Sequence, residues 1–146
     1  MHHCGAAIVG LCAAASASQL PLVDLKPYAG VYGGEIWSSG AAAPAVTTLQ
    51  VGPDQALGGI YVFEEADGQT TAGKLDECRV QGQSATCRWQ DRYGDGRLNM
   101  RFNAEFCSFR GQWSMSSTPD VQAFWNGRRH DKDCNAAVAR ADPILR

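Results

Sequence analysis

The sequence predicts an all-β fold, a single antiparallel up-and-down meander of about eight strands that closes as a small barrel and is followed by a short C-terminal helix. Three observations support this prediction. Apolar and polar residues alternate with a period of two over much of the chain. Glycine and polar turn residues recur at short intervals. A chain of 146 residues, 45% hydrophobic and 19% charged, has the length and composition of one globular domain.

The N-terminal segment predicts a signal peptide. Residues 1–18 contain no Lys, Arg, Asp or Glu, and residues 4–15 form an apolar run. Small residues follow this run, and we expect cleavage after Ala17 or Ser18. The run is too short to span a bilayer, so no transmembrane segment is expected. Residues 19–146 are then a single barrel-like domain with a tail from about residue 130, located in the periplasm or secreted.

Eight short segments carry the strand signal. They are residues 30–37, 45–51, 57–65, 71–80, 84–90, 96–103, 108–115 and 121–128. In the clearest of them, Leu98, Met100 and Phe102 point one way and the intervening Arg and Asn residues point the other. This alternation is typical of an antiparallel sheet with one face in the core and one in water. Residues 41–44, which end in Pro44, are predicted to form a loop.

One hairpin suggests a disulfide. Gly82-Gln83 fits a two-residue turn with glycine in the first position, and this register places Cys78 opposite Cys87. The β-carbons of such a pair lie about 4.5–5.5 Å apart, which is near bonding range.

The tail supplies the second predicted disulfide. After Ser18 the chain has four cysteines, an even number that suggests two disulfides formed in an oxidising compartment. With Cys78 and Cys87 paired, Cys107 pairs with Cys134 by default and attaches the tail to the sheet. Asp131 is a candidate N-cap for a short helix in this tail.

Five short motifs follow one another between residues 57 and 128. They are Gly59-Ile60-Tyr61, Trp89-Gln90-Asp91, Gly96 to Phe102, Phe109 to Trp113 and Trp125 to Arg128. This pattern, which covers about half the chain, resembles uncharacterised bacterial exported proteins of calycin type, the lipocalin- and avidin-like β-barrels. The resemblance implies a barrel. The biotin-binding residues of avidin-like proteins cannot be matched one by one, so biotin binding is not implied.

Aromatic residues are the candidate ligand-binding groups. Most of them are expected in the core, because they fall on inward-facing positions. A barrel mouth lined by two or three aromatic rings would suit a small apolar ligand or a sugar. The residues predicted for this mouth are Trp37, Tyr61, Trp89 and Trp125.

The charges are unevenly distributed along the chain. Residues 19–77 hold eight acids and two bases, whereas residues 78–146 hold seven acids and eleven bases. Five arginines share the outward phase of consecutive predicted strands: Arg88, Arg97, Arg101, Arg110 and Arg128. Because neighbouring strands lie about 4.8 Å apart, these side chains would form one basic face suited to carboxylate or phosphate groups. Alternatively, they form a solvated surface and pair with nearby acids.

No catalytic constellation is evident. His130 is the one histidine after residue 18 and lies in a charged segment, and all four remaining cysteines are expected to be bonded. Asp91 and Asp95 share a loop, but their spacing is not that of a calcium loop, so we interpret the loop as a turn. We therefore expect no enzyme activity, no cofactor and no metal. The net charge of −2 and the predicted export argue against nucleic acid as a partner.

Two functional hypotheses follow, and the sequence does not separate them. In the first, the protein is a non-catalytic exported binding protein with a small ligand in the barrel mouth. In the second, it is a protein–protein interaction or inhibitor module that binds an envelope or extracellular protein through the Arg-rich outer face. An open mouth lined by aromatic rings would favour the first hypothesis, and a filled barrel with an unpaired arginine row would favour the second.

Overall fold

The computed structural model describes residues 23–131 and 133–135 and consists of a closed, antiparallel, up-and-down barrel. Each strand pairs with its sequence neighbours, and β8 pairs with β1 to close the sheet. The strands are β1 (Gly30–Ser38), β2 (Ala41–Val51), β3 (Leu57–Glu64), β4 (Thr70–Gln81), β5 (Ser84–Asp91), β6 (Gly94–Phe102), β7 (Ser108–Met115) and β8 (Thr118–Arg129). A 3-10 helix, Lys26–Tyr28, precedes β1. The predicted fold class is confirmed, and the predicted signal peptide, residues 1–18, lies outside the described residues.

Strand β2 begins earlier than predicted. The segment 41–44 is part of this strand, so its prediction as a loop was wrong. Ser39 and Gly40 both have positive φ angles, 52° and 80°, and form a two-residue turn that places Ser38 opposite Ala41. The sequence of residues 41–45 shows no alternation of polar and apolar side chains, because small apolar residues occupy both the inward and the outward positions.

The β4–β5 hairpin has the predicted turn. Gln81 lies opposite Ser84 across the turn, and Gly82 has a φ of 60°. Cys78 and Cys87 form a disulfide with a Cα–Cα distance of 4.0 Å, which confirms the predicted pair. Just beyond it the register shifts by one residue at a β-bulge.

The barrel interior fits large rings because four of them lie opposite a glycine on the neighbouring strand. Such cross-strand pairs are Tyr61 with Gly73, Trp89 with Gly96, Phe109 with Gly127 and Trp125 with Gly111. A Cβ added at Gly73 would lie only 2.2 Å from the Tyr61 ring. The glycines therefore provide the space that the rings occupy in a narrow barrel.

One end of the barrel is closed by aromatic packing. Phe102 lies at the centre of this cluster, with its ring centroid 5.1 Å from that of Tyr28, 5.7 Å from Tyr32 and from Phe106, and 5.6 Å from Phe109. The Tyr32 hydroxyl donates to the backbone oxygens of Tyr28 (2.9 Å) and Phe106 (3.3 Å). We call this the closed end.

The C-terminal tail is attached at the closed end. Cys107 and Cys134 form the second predicted disulfide, with a Cα–Cα distance of 5.4 Å. Asp131 acts as the predicted N-cap, because its carboxylate accepts a hydrogen bond from the Cys134 amide at 3.0 Å. This bond and the nearby Arg129 guanidinium lower the pKa of Asp131. Residues 133–135 are helical, and the rest of the predicted helix lies outside the described residues.

Candidate functional site

The end opposite the closed end opens into a cavity of about 320 Å³, which we call the mouth. Its size lies at the lower limit of typical small-molecule sites. The lining residues are Ile36, Ser38, Ser39, Tyr61, Phe63, Trp89, Asp91, Tyr93, Trp113, Met115 and Trp125. Most of these side chains are aromatic or aliphatic, so the mouth offers an apolar surface with few polar groups.

Three deeply buried rings form the inner part of the mouth. Tyr61, Trp89 and Trp125 are at most 4% exposed. The Trp125 indole N–H donates to the Thr47 hydroxyl at 2.9 Å, and the Trp89 indole N–H donates to the Ser114 backbone oxygen at 3.1 Å. Tyr61 and Trp125 pack edge to face, with ring centroids 4.6 Å apart. The polar groups of both indoles are therefore satisfied within the barrel, and the orientations of the rings are fixed.

Asp91 introduces a carboxylate into this apolar lining. It is the last residue of β5, and its side chain points inward because it shares the phase of Trp89 two residues earlier. The Tyr61 hydroxyl donates to one carboxylate oxygen at 2.8 Å, and the Tyr93 amide donates to the other at 2.8 Å. Burial, together with the Asp91 carboxylate, raises the pKa of Tyr61 far above its ordinary value. Tyr61 therefore remains a hydrogen-bond donor to Asp91 at neutral pH.

Contacts between two loops brace the rim of the mouth. The Arg92 guanidinium pairs with the Glu65 carboxylate at 2.6 Å and lies 4.9 Å from the centroid of the Tyr93 ring. The Tyr93 hydroxyl also donates to the Glu65 carboxylate. These contacts connect the β3–β4 loop to the β5–β6 turn and position Tyr93 at the rim.

Trp37 does not line the mouth, in contrast to the other three aromatic residues predicted there. It is 40% exposed on the outer surface, where its ring centroid lies 5.8 Å from that of Phe124. The inward phase of β1 is set by the buried residues Tyr32 and Ile36, so Trp37 must face outward. Its backbone oxygen contributes to the mouth indirectly, because it accepts a hydrogen bond from the Trp113 indole at 3.1 Å.

Two prominent lining residues, Trp113 and Asp91, were not predicted for the mouth. Trp113 packs edge to face against Trp89, with ring centroids 5.5 Å apart. Its alternation with Phe109 in β7 identified an inward position, but not which end of the barrel it occupies. Asp91 was interpreted as a turn residue, although its spacing of two from Trp89 was a usable signal for an inward side chain.

The five predicted arginines all face outward on β5 to β8. Arg88 lies directly opposite Arg97, and Arg101 lies directly opposite Arg110. Arg88 pairs with Asp95 at 3.4 Å, and Arg101 donates to the Ser84 hydroxyl at 3.4 Å. Within the described part of the chain, no ion pair shorter than 4.0 Å involves Arg97, Arg110 or Arg128. We call this surface the arginine face.

No metal centre or membrane-spanning helix is found in residues 23–131 and 133–135. These residues contain no group of three or more His, Cys, Asp or Glu side chains placed to hold a metal ion. They also contain no helix with the length and apolar character needed to cross a membrane. His130 is exposed after the end of β8.

The sequence was compared with known proteins. No protein-family model matches the chain, and no curated protein matches it significantly.

Proposed function

We propose that the protein is a non-catalytic exported binding protein that holds a small ligand in the mouth of its barrel. The observation that supports this proposal is the difference between the two ends of the barrel. Aromatic rings fill the closed end, whereas the mouth keeps a cavity of about 320 Å³ between the rings that line it. A concave, mostly apolar cavity with a few polar groups is the usual form of a small-molecule site.

The mouth also has the rigidity that favours binding. The indoles of Trp89, Trp113 and Trp125 each donate a hydrogen bond within the barrel. A ligand that enters therefore orders few side chains, and the entropic cost of binding is correspondingly low.

The two disulfides support a location in an oxidising compartment. Both Cys78–Cys87 and Cys107–Cys134 connect segments of the same domain, as structural disulfides of secreted proteins do. Together with the predicted signal peptide, they favour the periplasm or secretion.

The four tryptophans provide a direct test of ligand binding. Three indoles line the mouth, and Trp37 lies outside it and serves as an internal control. In proton–nitrogen NMR spectra of isotope-labelled protein, we expect ligands from a library of small organic molecules to shift the three mouth indole signals and leave the Trp37 signal unchanged. Binding that moves only the Trp37 signal would place the ligand on the outer surface and contradict the proposal.

A pair of serine variants makes the test more specific. Ser38 lines the mouth, whereas Ser108 lies on the outward face of β7 opposite Arg128. Ser38→Phe places a ring in the mouth and should abolish binding. Ser108→Phe adds the same side chain outside and should leave binding unchanged. Equal affinities of the two variants for a ligand would exclude the mouth as its site.

The arginine face favours a second candidate function, an interaction or inhibitor module for an envelope or extracellular protein. Like charges placed directly opposite one another in a sheet are destabilising. Two such pairs, Arg88 with Arg97 and Arg101 with Arg110, lie on this face. A partner with surface carboxylates would remove this repulsion through bidentate arginine contacts.

Charge reversal tests the second candidate. Capture from a periplasmic or secreted-protein extract by the unmodified protein is compared with capture by the Arg97→Glu/Arg101→Glu double variant. The Lys26→Glu/Lys74→Glu variant makes the same change in net charge and leaves all five arginines of the arginine face in place. We expect a partner that the first variant loses and the second retains. Unchanged capture by both variants would count against the arginine face as an interface.

A further inference from the structure

The mouth combines aromatic walls with a single charged side chain. Among its described lining residues, Asp91 is the one acidic or basic side chain, and Tyr61, Trp89, Trp113 and Trp125 lie among the others. The Asp91 carboxylate accepts only two hydrogen bonds from the described residues. A carboxylate offers about four acceptor positions, so Asp91 has capacity for a further partner inside the cavity.

A carboxylate among aromatic rings favours a positively charged ligand. A neutral ligand that filled the mouth would remove water from the Asp91 carboxylate and replace it with nothing of opposite charge. An anionic ligand would be repelled by the same carboxylate. A cation would be attracted both by the carboxylate and by the negative faces of the surrounding indole and phenol rings.

A cationic side chain at the rim is held by the same two kinds of group. The Arg92 guanidinium lies over the Tyr93 ring and pairs with the Glu65 carboxylate, so a positive charge rests between an aromatic face and an acid. Inside the mouth, Asp91 and the tryptophan rings repeat this combination without a basic side chain among the lining residues.

The loops around the mouth strengthen the attraction for cations. Apart from Asp91, the hairpin connections at this end, residues 38–41, 64–70, 91–94 and 115–118, contain three acidic residues and one basic residue. A cleft lined by one sign of charge raises the local concentration of ligands of the opposite sign.

We propose that the ligand of the mouth is a small organic cation, such as a quaternary ammonium or protonated amine with apolar substituents. Its charged nitrogen lies against the Asp91 carboxylate, and its substituents contact the lining residues that are more exposed, Trp113 and Tyr93. This inference rests on the proposed function, because it specifies the ligand class of the same cavity.

The test compares two probes that differ only in charge. The first is benzyldimethyl(hydroxyethyl)ammonium, and the second is its neutral analogue in which a carbon atom replaces the charged nitrogen. Titrations are followed through the mouth indole signals in NMR spectra. We expect the cation to bind with an affinity at least about tenfold higher than that of the neutral analogue.

Two matched variants assign the preference to Asp91. Asp91→Asn removes the charge in the mouth, while the amide can still hydrogen-bond to Tyr61 and Tyr93. Asp95→Asn removes the same charge from the outer surface, where Asp95 pairs with Arg88. The preference for the cation should nearly disappear in the first variant and persist in the second. An undiminished preference in Asp91→Asn would overturn the proposal.

The outcomes separate this inference from the proposed function. If both probes shift the mouth indoles with equal affinity, the mouth is a ligand site but the cation proposal is wrong. If neither probe nor any member of the ligand library shifts these signals, both proposals are wrong. The comparison of the two probes on the unmodified protein needs no variant, so it remains decisive if Asp91→Asn fails to fold.

Discussion

The two ends of the barrel are built from the same kinds of residue and differ in how those residues are packed. At the closed end, Phe102 contacts four other rings, and the segment that includes Tyr28 covers the barrel. At the mouth, large rings line the wall but leave a cavity between them. Aromatic content alone therefore does not distinguish a packed core from an open cavity; within residues 23–131 and 133–135, another segment covers the rings of the closed end but not those of the mouth.

The hydrogen bonds of the rings reinforce this difference. At the closed end, the hydroxyl of Tyr32 is bonded to backbone oxygens of the covering segments, so it ties those segments to the barrel. At the mouth, the hydroxyl of Tyr61 is bonded to the side chain of Asp91, which is itself part of the cavity lining. Polar groups stabilise the structure at the closed end, whereas at the mouth the Asp91 carboxylate also keeps acceptor positions beyond its two hydrogen bonds.

Truncating one ring at each end tests the difference in packing most directly. Phe102→Ala leaves a void inside a packed cluster and should lower the free energy of unfolding by about 3–5 kcal/mol. Trp113→Ala only enlarges an existing open cavity, so we expect a smaller loss of about 1–2 kcal/mol, consistent with partial burial of the ring. Chemical denaturation of both variants provides the measurement. Equal losses would mean that the mouth is packed as tightly as the closed end.

Removal of the tail disulfide should lower the free energy of unfolding of the barrel more than removal of the hairpin disulfide does. The double variant Cys107→Ser/Cys134→Ser opens a loop with a sequence separation of 27 residues, and a chain-entropy estimate gives a loss of about 3–4 kcal/mol. The Cys78→Ser/Cys87→Ser variant opens a separation of 9 residues, and the same estimate gives about 2–3 kcal/mol.

The two disulfide variants are compared by thermal unfolding and by the NMR signals of the mouth indoles. We expect those signals to change little in the folded Cys107→Ser/Cys134→Ser variant, because the disulfide lies at the other end of the barrel. Large shifts of the mouth signals in this variant would show that the two ends are coupled.

Alkaline titration should reveal the smallest of these effects. Because the pKa of Tyr61 is raised in the folded protein, the folded state keeps a proton that the unfolded chain releases above pH 10. Tyr61 therefore contributes its full stabilisation below pH 10, and this contribution is lost as the pH rises further. In Tyr61→Phe, we expect a loss of about 1 kcal/mol at neutral pH from the missing hydrogen bond.

The pH dependence distinguishes the role of Tyr61 from a general effect of the substitution. The unfolding free energy of Tyr61→Phe should fall less steeply above pH 10 than that of the unmodified protein. Denaturation series at neutral and alkaline pH measure both slopes, and parallel slopes would contradict the assignment.

The strands and disulfides could be predicted from local patterns. The strands and the first disulfide depend on residues close in sequence, and the second disulfide joins the two cysteines that remain after Ser18 once the first pair is assigned. The alternation around Leu98 identified β6, and Gly82 identified the hairpin that joins Cys78 to Cys87. The start of β2 was missed because its alanines carry no alternation of polarity, and the turn that precedes it depends on Ser39, a residue without a strong preference for positive φ.

The mouth was predicted less completely because it is a property of the closed barrel. Sequence phase places Trp89 and Trp113 inside, but which inward residues meet at the open end depends on the direction and length of every strand. Trp37 could have been placed outside from the phase of Tyr32 and Ile36, although the Gly33-Gly34 pair between them weakens the alternation in β1. The role of Asp91 depends on its contact with Tyr61, which lies 30 positions earlier in the chain.

Both connections to the barrel lie at the same end. The helix Lys26–Tyr28 enters β1 at the closed end, and the Cys107–Cys134 disulfide holds the segment after β8 there as well. A bead, an electrode or a fluorescent fusion joined through either segment is consequently attached at the closed end, opposite the mouth. The protein can be immobilised in one orientation with the mouth directed toward the sample, which suits it to use as a sensor element.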